Sequence, residues 1–283
     1  MEKRLQGRSL LAATFLMAVM AVPCVAPAEE TGPPGPQDRP VIKASALYLV
    51  DLKSGRVLLE KDAAKRLPPA SLTKIMTALV ALDAAPLQEV VKIDRRAVVH
   101  HSSYKFRPGE EFLLRDLLTA MLVASANDAC EAVAWHIGGD DAQFVAMMND
   151  RARALGLKNT HFANPCGFDA PEHYSTAADL AKLTEHALQQ PIFAMMVRTL
   201  IRDIATVDGT RQVVLRSTNE LLLDPDVNGV KTGYTSKAGR CLIASMFKDG
   251  HRLLLVGLNV KDRWEQAPRL LRYGQALLQV TSQ

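Results

Sequence analysis

Apolar residues recur with a helical period through the middle of the chain, whereas strand-like apolar segments lie near both ends. The segments 44–52 and 56–60, joined through Lys53-Ser54-Gly55, predict a β-hairpin. The segment 263–278 predicts a closing amphipathic helix. Between these ends the pattern predicts helices over 113–124, 128–137, 141–155 and 176–188, then strands over 204–207, 212–215, 229–234, 240–247 and 252–260.

Strands at both ends and helices between them favour an α/β fold of the α+β type. Asp208-Gly209 and Asp249-Gly250 are turn dipeptides that pair the later strands into hairpins. We therefore expect one antiparallel sheet built from both chain ends and flanked by helices, with a helical lobe inserted in the middle. No internal repeat interrupts this order.

Composition narrows the functional class. With 283 residues, of which 48% are hydrophobic, the chain can bury a sizeable core in one large or two small domains. The net charge is +4, and the first eight residues account for +2 of it. The remaining charge is too small, and the 5% of aromatic residues too few, to predict a nucleic-acid partner.

The N-terminal segment predicts export. Residues 1–28 have a basic start, a short apolar stretch and a small-residue cleavage site, as in a secretory signal peptide. An uncleaved anchor is the alternative; a lipoprotein site at Cys24 fits poorly because Pro23 precedes it. We expect a Pro-rich linker over 29–40, a catalytic domain over 41–283, and a periplasmic or cell-wall location. No stable membrane anchor is predicted unless the signal stays uncleaved, and we expect a monomer.

Three cysteines follow the signal segment: Cys130, Cys166 and Cys241. No Cys-x-x-Cys motif is present, and three thiols cannot all pair. We therefore expect buried free thiols, although an oxidising compartment would permit one disulfide.

Ser71 opens a helix. Two prolines precede it, and apolar residues recur at helical spacing from Leu72 onward. Its hydroxyl is then close to free backbone N–H groups, and Lys74 lies one turn along the same side. A nucleophile, a base and oxyanion donors together favour acyl transfer. The alternative is a simple N-cap serine.

The Ser-x-x-Lys pattern occurs twice more. Ser245-x-x-Lys248 lies in a strand-like run, where residues three apart point to opposite faces. Ser102-x-x-Lys105 lies in a polar stretch that leads into a turn. Only the pair at Ser71 combines the pattern with the start of a helix.

Two further triplets are candidates for the same site. Ser125-Ala126-Asn127 lies between two predicted helices, where a hydroxyl and an amide suit a cleft or, alternatively, a helix cap. Lys231-Thr232-Gly233 lies on a predicted strand, where the alternative is an exposed edge lysine. A second Ser-x-Asn, Ser217-Thr218-Asn219, is interpreted as a loop.

The order of these triplets identifies a family. Ser125 follows Ser71 by 54 residues and Lys231 follows Ser125 by 106, in the order typical of serine acyl-transferases of the penicillin-binding and β-lactamase group. Across residues 41–280 the chain resembles the D-alanyl-D-alanine carboxypeptidases, the low-molecular-mass penicillin-binding proteins. The similar segments are 69–78, 123–129, 173–181 and 230–239.

The resemblance implies a role for each candidate residue. Ser71 attacks the penultimate D-alanine carbonyl of a peptidoglycan stem peptide, and β-lactams acylate the same hydroxyl. Lys74 must accept the proton as a neutral amine, so burial and the charge of Lys231 must lower its pKa from about 10.4. The resemblance also implies that Ser125 relays a proton to the leaving amine and that Asn127 binds a substrate amide. The backbone N–H groups of Ser71 and Tyr234 would form the oxyanion site. Lys231, Thr232 and Arg263 would bind the terminal carboxylate, although Arg263 is alternatively a surface arginine. No metal or cofactor is required.

Rival interpretations share parts of this pattern. The chain stops nine residues after Gly274, so we expect no C-terminal β domain or anchor helix, as in the endopeptidase-like relatives. A D,D-endopeptidase is therefore the main alternative.

A class A β-lactamase needs a deacylating glutamate, and neither Glu172 nor Glu185 has the Glu-x-x-x-Asn surroundings. A zinc carboxypeptidase lacks support because no His-Glu-x-x-His occurs. A non-catalytic wall-binding protein would be expected to have lost one of the catalytic residues.

Overall fold

Strands from the two ends of the chain lie side by side in one antiparallel sheet. The computed structural model describes residues 39–98 and 104–281, all within one compact unit that spans 33–283. The prediction of a sheet assembled from both chain ends is confirmed. In spatial order the strands are β2 (Arg56–Lys61), β1 (Ala46–Asp51), β9 (His251–Leu258), β8 (Gly239–Lys248) and β7 (Val227–Thr235).

Both faces of this sheet are covered. Along β9, Leu254 and Val256 face the core formed with the central helices, while Leu253 and Leu255 face the C-terminal helix. The central strands therefore read as nearly continuous apolar runs, because successive side chains enter opposite cores. The helices are α1 (Lys74–Ala84), α2 (Leu114–Val123), α3 (Asn127–Gly138), α4 (Asp141–Ala154), α5 (Ala177–Leu188), α6 (Pro191–Val197) and α7 (Arg263–Thr281).

Two small hairpins flank the helical lobe. The pair β5 (Ile201–Ala205) and β6 (Gln212–Arg216) was predicted with slightly different bounds, and its turn contains Gly209. The pair β3 (Val90–Lys92) and β4 (Glu111–Leu113) was not predicted, because three residues are too few to show a period of two. The seven-residue helix α6 was also missed, because about two helical turns are too few to show a helical period.

The cysteine prediction is partly wrong. Cys130, on α3, and Cys166, in the loop before α5, form a disulfide with Cα atoms 5.9 Å apart. That spacing is normal for a disulfide, and only the tertiary fold brings the two residues together. Cys241 is a buried free thiol, as expected.

Several predictions fall on parts of the chain that the structure does not cover. The signal segment 1–28, linker residues 29–38 and Ser102 lie outside the described residues. Among the helices that are described, none combines the length and the apolar character needed to cross a membrane.

Candidate active site

Ser71 lies on a turn that presents it to the cleft. It belongs to a 3-10 turn, Ala70–Thr73, that leads directly into α1. Ser71 is partly exposed, whereas Lys74, the first residue of α1, is fully buried. The turn and the helix together bring the Lys74 Nζ to 3.0 Å from the Ser71 Oγ. The predicted juxtaposition of these two side chains is therefore present in the fold.

The Lys74 amine is surrounded by three oxygen atoms. Besides Ser71, it reaches Asn127 Oδ1 at 2.8 Å and the Cys166 carbonyl oxygen at 2.7 Å. These two oxygens can only accept hydrogen bonds. A neutral amine has two N–H groups and one lone pair, so donating to both acceptors leaves the lone pair facing the Ser71 hydroxyl. This is the arrangement that a general base requires.

Burial favours the neutral amine. It lowers the pKa of Lys74 to about 7, although the charges of Glu131 and Asp128 partly oppose the shift. The buried Glu131 carboxyl itself has a pKa raised to about 7, first by its own burial and then by Asp141. Lys74 can therefore accept a proton near neutral pH, which an exposed lysine cannot do.

Ser125 and Lys231 form a second pair beside the first. Lys231 Nζ donates to Ser125 Oγ at 2.8 Å and to the Thr232 carbonyl oxygen at 2.9 Å. Burial lowers the Lys231 pKa well below its usual value, and the charges of Lys74 and Arg263 add to this. Because Lys231 is 1% exposed, the exposed edge-lysine interpretation is wrong.

The helix-cap interpretation of the Ser125 triplet is also wrong. The N-cap of α3 is Ala126, whose side chain makes no capping hydrogen bond. Ser125 instead has a φ of +58° in the break between α2 and α3, and its hydroxyl is directed to Lys231. Asn127 starts α3 and directs its amide oxygen to Lys74. The break thus places both side chains in the cleft.

Strand β7 borders the site. Among the described strands it pairs only with β8, so its other edge is available. The backbone of Gly233 lies so close to the nucleophile that a Cβ there would be 3.0 Å from Ser71 N. Thr232 is buried, with its hydroxyl 2.5 Å from the Thr218 hydroxyl, while the Tyr234 side chain is exposed.

Arg263 holds the end of the sheet next to this edge. Its Nη1 donates to the carbonyl oxygens of Gly233 and Cys241, each at 3.1 Å, and its guanidinium stacks 4.5 Å from the Trp264 ring. Burial lowers the Arg263 pKa. Arg263 is thus half-buried and ties β7 to β8, which differs from the surface arginine considered as an alternative.

Sequence reasoning missed three contributors to the site. Ser217-Thr218-Asn219 is a loop as predicted, but Thr218 reaches Thr232. The Cys166 carbonyl is a backbone group, which no side-chain motif encodes. The third is His173. Its Nδ1 accepts from the Ala163 N–H, so Nε2–H donates to the Thr73 hydroxyl at 2.9 Å, beside the nucleophile.

The rival Ser-x-x-Lys at residue 245 forms no such site. Ser245 is fully buried on β8, and Lys248 pairs with Asp226 at the exposed end of that strand. The opposite orientation predicted for these two residues explains why they do not meet.

Comparison with known proteins identifies the family. A sequence model for D-alanyl-D-alanine carboxypeptidases matches residues 34–262. The chain belongs to this family. The carboxypeptidase DacF of Bacillus subtilis (strain 168) is 35% identical over 241 residues, which cover 82% of this chain but only 62% of DacF. The chain therefore spans less than two thirds of that relative.

Other members of the family carry different activity names. A D-alanyl-D-alanine endopeptidase of Pseudomonas aeruginosa is 32% identical, covering 83% of this chain and 76% of the relative. The crystal structure of the Streptomyces K15 DD-transpeptidase superimposes with a TM-score of 0.79 at 30% identity, covering 84% of this chain and 99% of that one. The penicillin-binding DD-peptidase fold is thus shown for the chain.

Proposed function

We propose that the chain is a serine D-Ala-D-Ala carboxypeptidase, which removes the terminal D-alanine from peptidoglycan stem pentapeptides through an acyl-enzyme on Ser71. The observation that carries the proposal is the Lys74 amine, 3.0 Å from the Ser71 hydroxyl and with a pKa near 7. Membership of the family supports the substrate class.

Acylation begins with transfer of the Ser71 proton to Lys74. The Ser71 oxygen attacks the penultimate carbonyl, and the backbone N–H groups of Ser71 and Tyr234 stabilise the oxyanion. Ser125, hydrogen-bonded to Lys231, passes its proton to the departing D-alanine amine and takes up the proton held by Lys74, which returns Lys74 to its neutral form. Water then hydrolyses the ester, with Lys74 again acting as the base.

Substrate binding uses the free edge of β7. An extended peptide adds to this edge as a further strand, and Asn127 binds a substrate amide. Lys231 and Thr232 orient the terminal carboxylate. Its negative charge restores the protonated form of Lys231, which burial otherwise disfavours. Arg263 supports this end of the site by holding Gly233 in place.

Fluorescent penicillin and a peptide ending in D-Ala-D-Ala test the proposal. We expect Ser71→Ala to abolish both labelling and D-alanine release, whereas Ser245→Ala, at the rival motif, keeps both. Labelling that survives Ser71→Ala would refute the assignment of the nucleophile.

A D,D-endopeptidase is the second candidate, because a relative with that name is 32% identical over most of both chains. The same acyl-enzyme would then form on a cross-linked substrate. Mass spectrometry of products from a pentapeptide and from a cross-linked dimer separates the two activities. If only the dimer is cleaved, the carboxypeptidase proposal is wrong.

A β-lactamase activity has less support. Glu172 and Glu185, the glutamates considered for deacylation, are both exposed. We therefore expect a long-lived penicillin adduct, and rapid nitrocefin turnover would contradict this.

Export and a monomeric state complete the proposal. The signal-like segment 1–28 supports a periplasmic or cell-wall location. N-terminal mass analysis of the secreted protein tests signal removal, and a retained N-terminus in the membrane fraction would contradict it. Size-exclusion chromatography tests the monomeric state, and elution at the mass of a dimer would contradict that.

A further inference from the structure

The disulfide joins the two elements that hold the general base. Cys130 lies on α3, three residues after Asn127, whose amide oxygen accepts from Lys74. Cys166 provides the second acceptor through its own carbonyl oxygen. The Cys166 Sγ lies 3.7 Å from the Asn127 carbonyl oxygen. The disulfide and the Lys74 amine therefore both connect α3 to the loop that carries Cys166.

The other hydrogen bonds of the Cys166 loop near the base lie within its own turn or reach α1. The Asn164 side chain closes the turn by accepting from the N–H groups of residues 166, 167 and 168. The Pro165 carbonyl accepts from the Thr77 hydroxyl on α1. These bonds shape the turn and fix it to α1. The disulfide adds the covalent attachment to α3, the helix that carries Asn127.

We propose that the Cys130–Cys166 disulfide positions the Lys74 amine by fixing the separation between its two acceptors. With both acceptors in place, the lone pair of the neutral amine faces Ser71. When the bridge is absent, the Cys166 carbonyl is free to move away from α3, and the amine loses the orientation that proton transfer needs. The inference rests on the proposed function, and it makes the two cysteines positioning residues.

The size of the effect follows from catalytic geometry. A displacement of about 1 Å at a catalytic group costs up to about 100-fold in rate. The bridge joins the two elements that hold Lys74, and neither cysteine belongs to β7, the strand proposed to bind substrate. Its loss should therefore slow acylation about 10- to 100-fold and leave the noncovalent affinity for penicillin nearly unchanged.

The first test is whether the bridge forms. The exported protein is digested without reduction and analysed by mass spectrometry. We expect one linked peptide pair containing Cys130 and Cys166. Finding both as free thiols would overturn the inference.

The second test separates positioning from general stability. Stopped-flow acylation by benzylpenicillin yields the noncovalent dissociation constant and the acylation rate constant separately. These are compared in Cys130→Ala/Cys166→Ala and in Cys241→Ala, which removes the unpaired buried thiol. We expect the acylation rate constant to fall at least about tenfold only in the double variant, with its dissociation constant within about twofold of the wild type.

Two outcomes of that comparison would overturn the inference. One is an unchanged acylation rate in the folded double variant. The other is an equal loss of affinity and rate, which indicates a merely structural bridge. If oxidised wild type itself fails to acylate at Ser71, the proposed function fails as well, so the two failures are distinguishable.

If the double variant does not fold, chemical reduction of the disulfide tests the same inference. Excess dithiol transfers two electrons and two protons to the bridge, giving two cysteine thiols and the cyclic disulfide of the reagent. In Cys241→Ala, reduction should slow acylation and reoxidation should restore it. Equal rates in the verified reduced and oxidised forms would overturn the inference.

Discussion

Gly167 packs against Ala70 so closely that a Cβ atom at residue 167 would overlap the Ala70 carbonyl oxygen and lie 2.9 Å from Ser71 N. Gly167 also has a φ of +88°, which side chains rarely tolerate. The loop that supplies an acceptor to Lys74 therefore rests directly on the turn that carries the nucleophile.

This contact predicts a severe effect of Gly167→Ala. The added methyl group must displace the backbone at Ala70, which moves Ser71 relative to Lys74. We expect penicillin acylation to fall about 100-fold or more, measured by stopped flow on the folded protein.

Gly209→Ala is the matched control for that variant. Gly209 has a φ of +71° in the β5–β6 hairpin, but nothing lies within 4 Å of its Cβ position. It should cost about 1–2 kcal/mol of unfolding free energy and leave acylation intact. Equal acylation by both variants would contradict the role of the Gly167 contact.

The pH dependence of acylation should follow Lys74. Because the neutral amine is the base and its pKa is about 7, the acylation rate should rise tenfold per pH unit below pH 7 and level off above it. Lys74→Arg, which stays protonated, should not acylate. A rate independent of pH between about 5 and 7 would contradict this assignment.

Glu131→Gln tests the same assignment through the pH dependence of the acylation rate. The Glu131 charge raises the Lys74 pKa, so removing it should shift the rise in rate to lower pH. A shift to higher pH would show that the charge acts in the opposite direction.

The parts of the site that were predictable are those encoded locally. Ser71 and Lys74 are three residues apart, so the start of the helix suffices to bring them together. Ser125 and Lys231 are 106 residues apart and were joined only through the resemblance to a family. The sheet was predictable because its strands are long and its hairpins contain strong turn dipeptides.

The parts that were missed depend on tertiary contacts. The acceptor at Cys166 is a backbone carbonyl, present in every residue, so its side chain carries no signal for that role. Thr218 lies in a polar loop whose position is set by the strands around it. The disulfide was not the expected outcome, because spacing along the chain does not reveal which thiols meet.

Thr218 should affect substrate binding more than chemistry. Its hydroxyl contacts that of Thr232, which we place at the substrate carboxylate. Thr218→Val removes this partner at a cost of about 1 kcal/mol, so KM for a D-Ala-D-Ala peptide should rise about fivefold with kcat nearly unchanged. Thr218→Ser keeps the hydroxyl and should behave like wild type. A fall in kcat with KM unchanged would contradict this role.

His173 should make the protein sensitive to acid. Burial, and secondarily His161, lowers the His173 pKa to about 4 from its ordinary 6.5. Between pH 4 and pH 6.5 the unfolded chain binds more protons than the folded one, so the free energy of unfolding decreases as the pH falls. The neutral ring donates to Thr73 and accepts from Ala163, and a proton on Nδ1 would break the second bond.

Denaturant unfolding at several pH values between 7 and 4 measures this effect. The stability advantage of wild type over His173→Gln at pH 7 should shrink by about 3 kcal/mol as pH falls through this range, because the variant has no titrating ring. Thr73→Val, which keeps the buried histidine, should lose about 1 kcal/mol at pH 7 and retain the acid-dependent loss. A difference between wild type and His173→Gln that does not change with pH would mean that His173 titrates alike in the folded and unfolded chains.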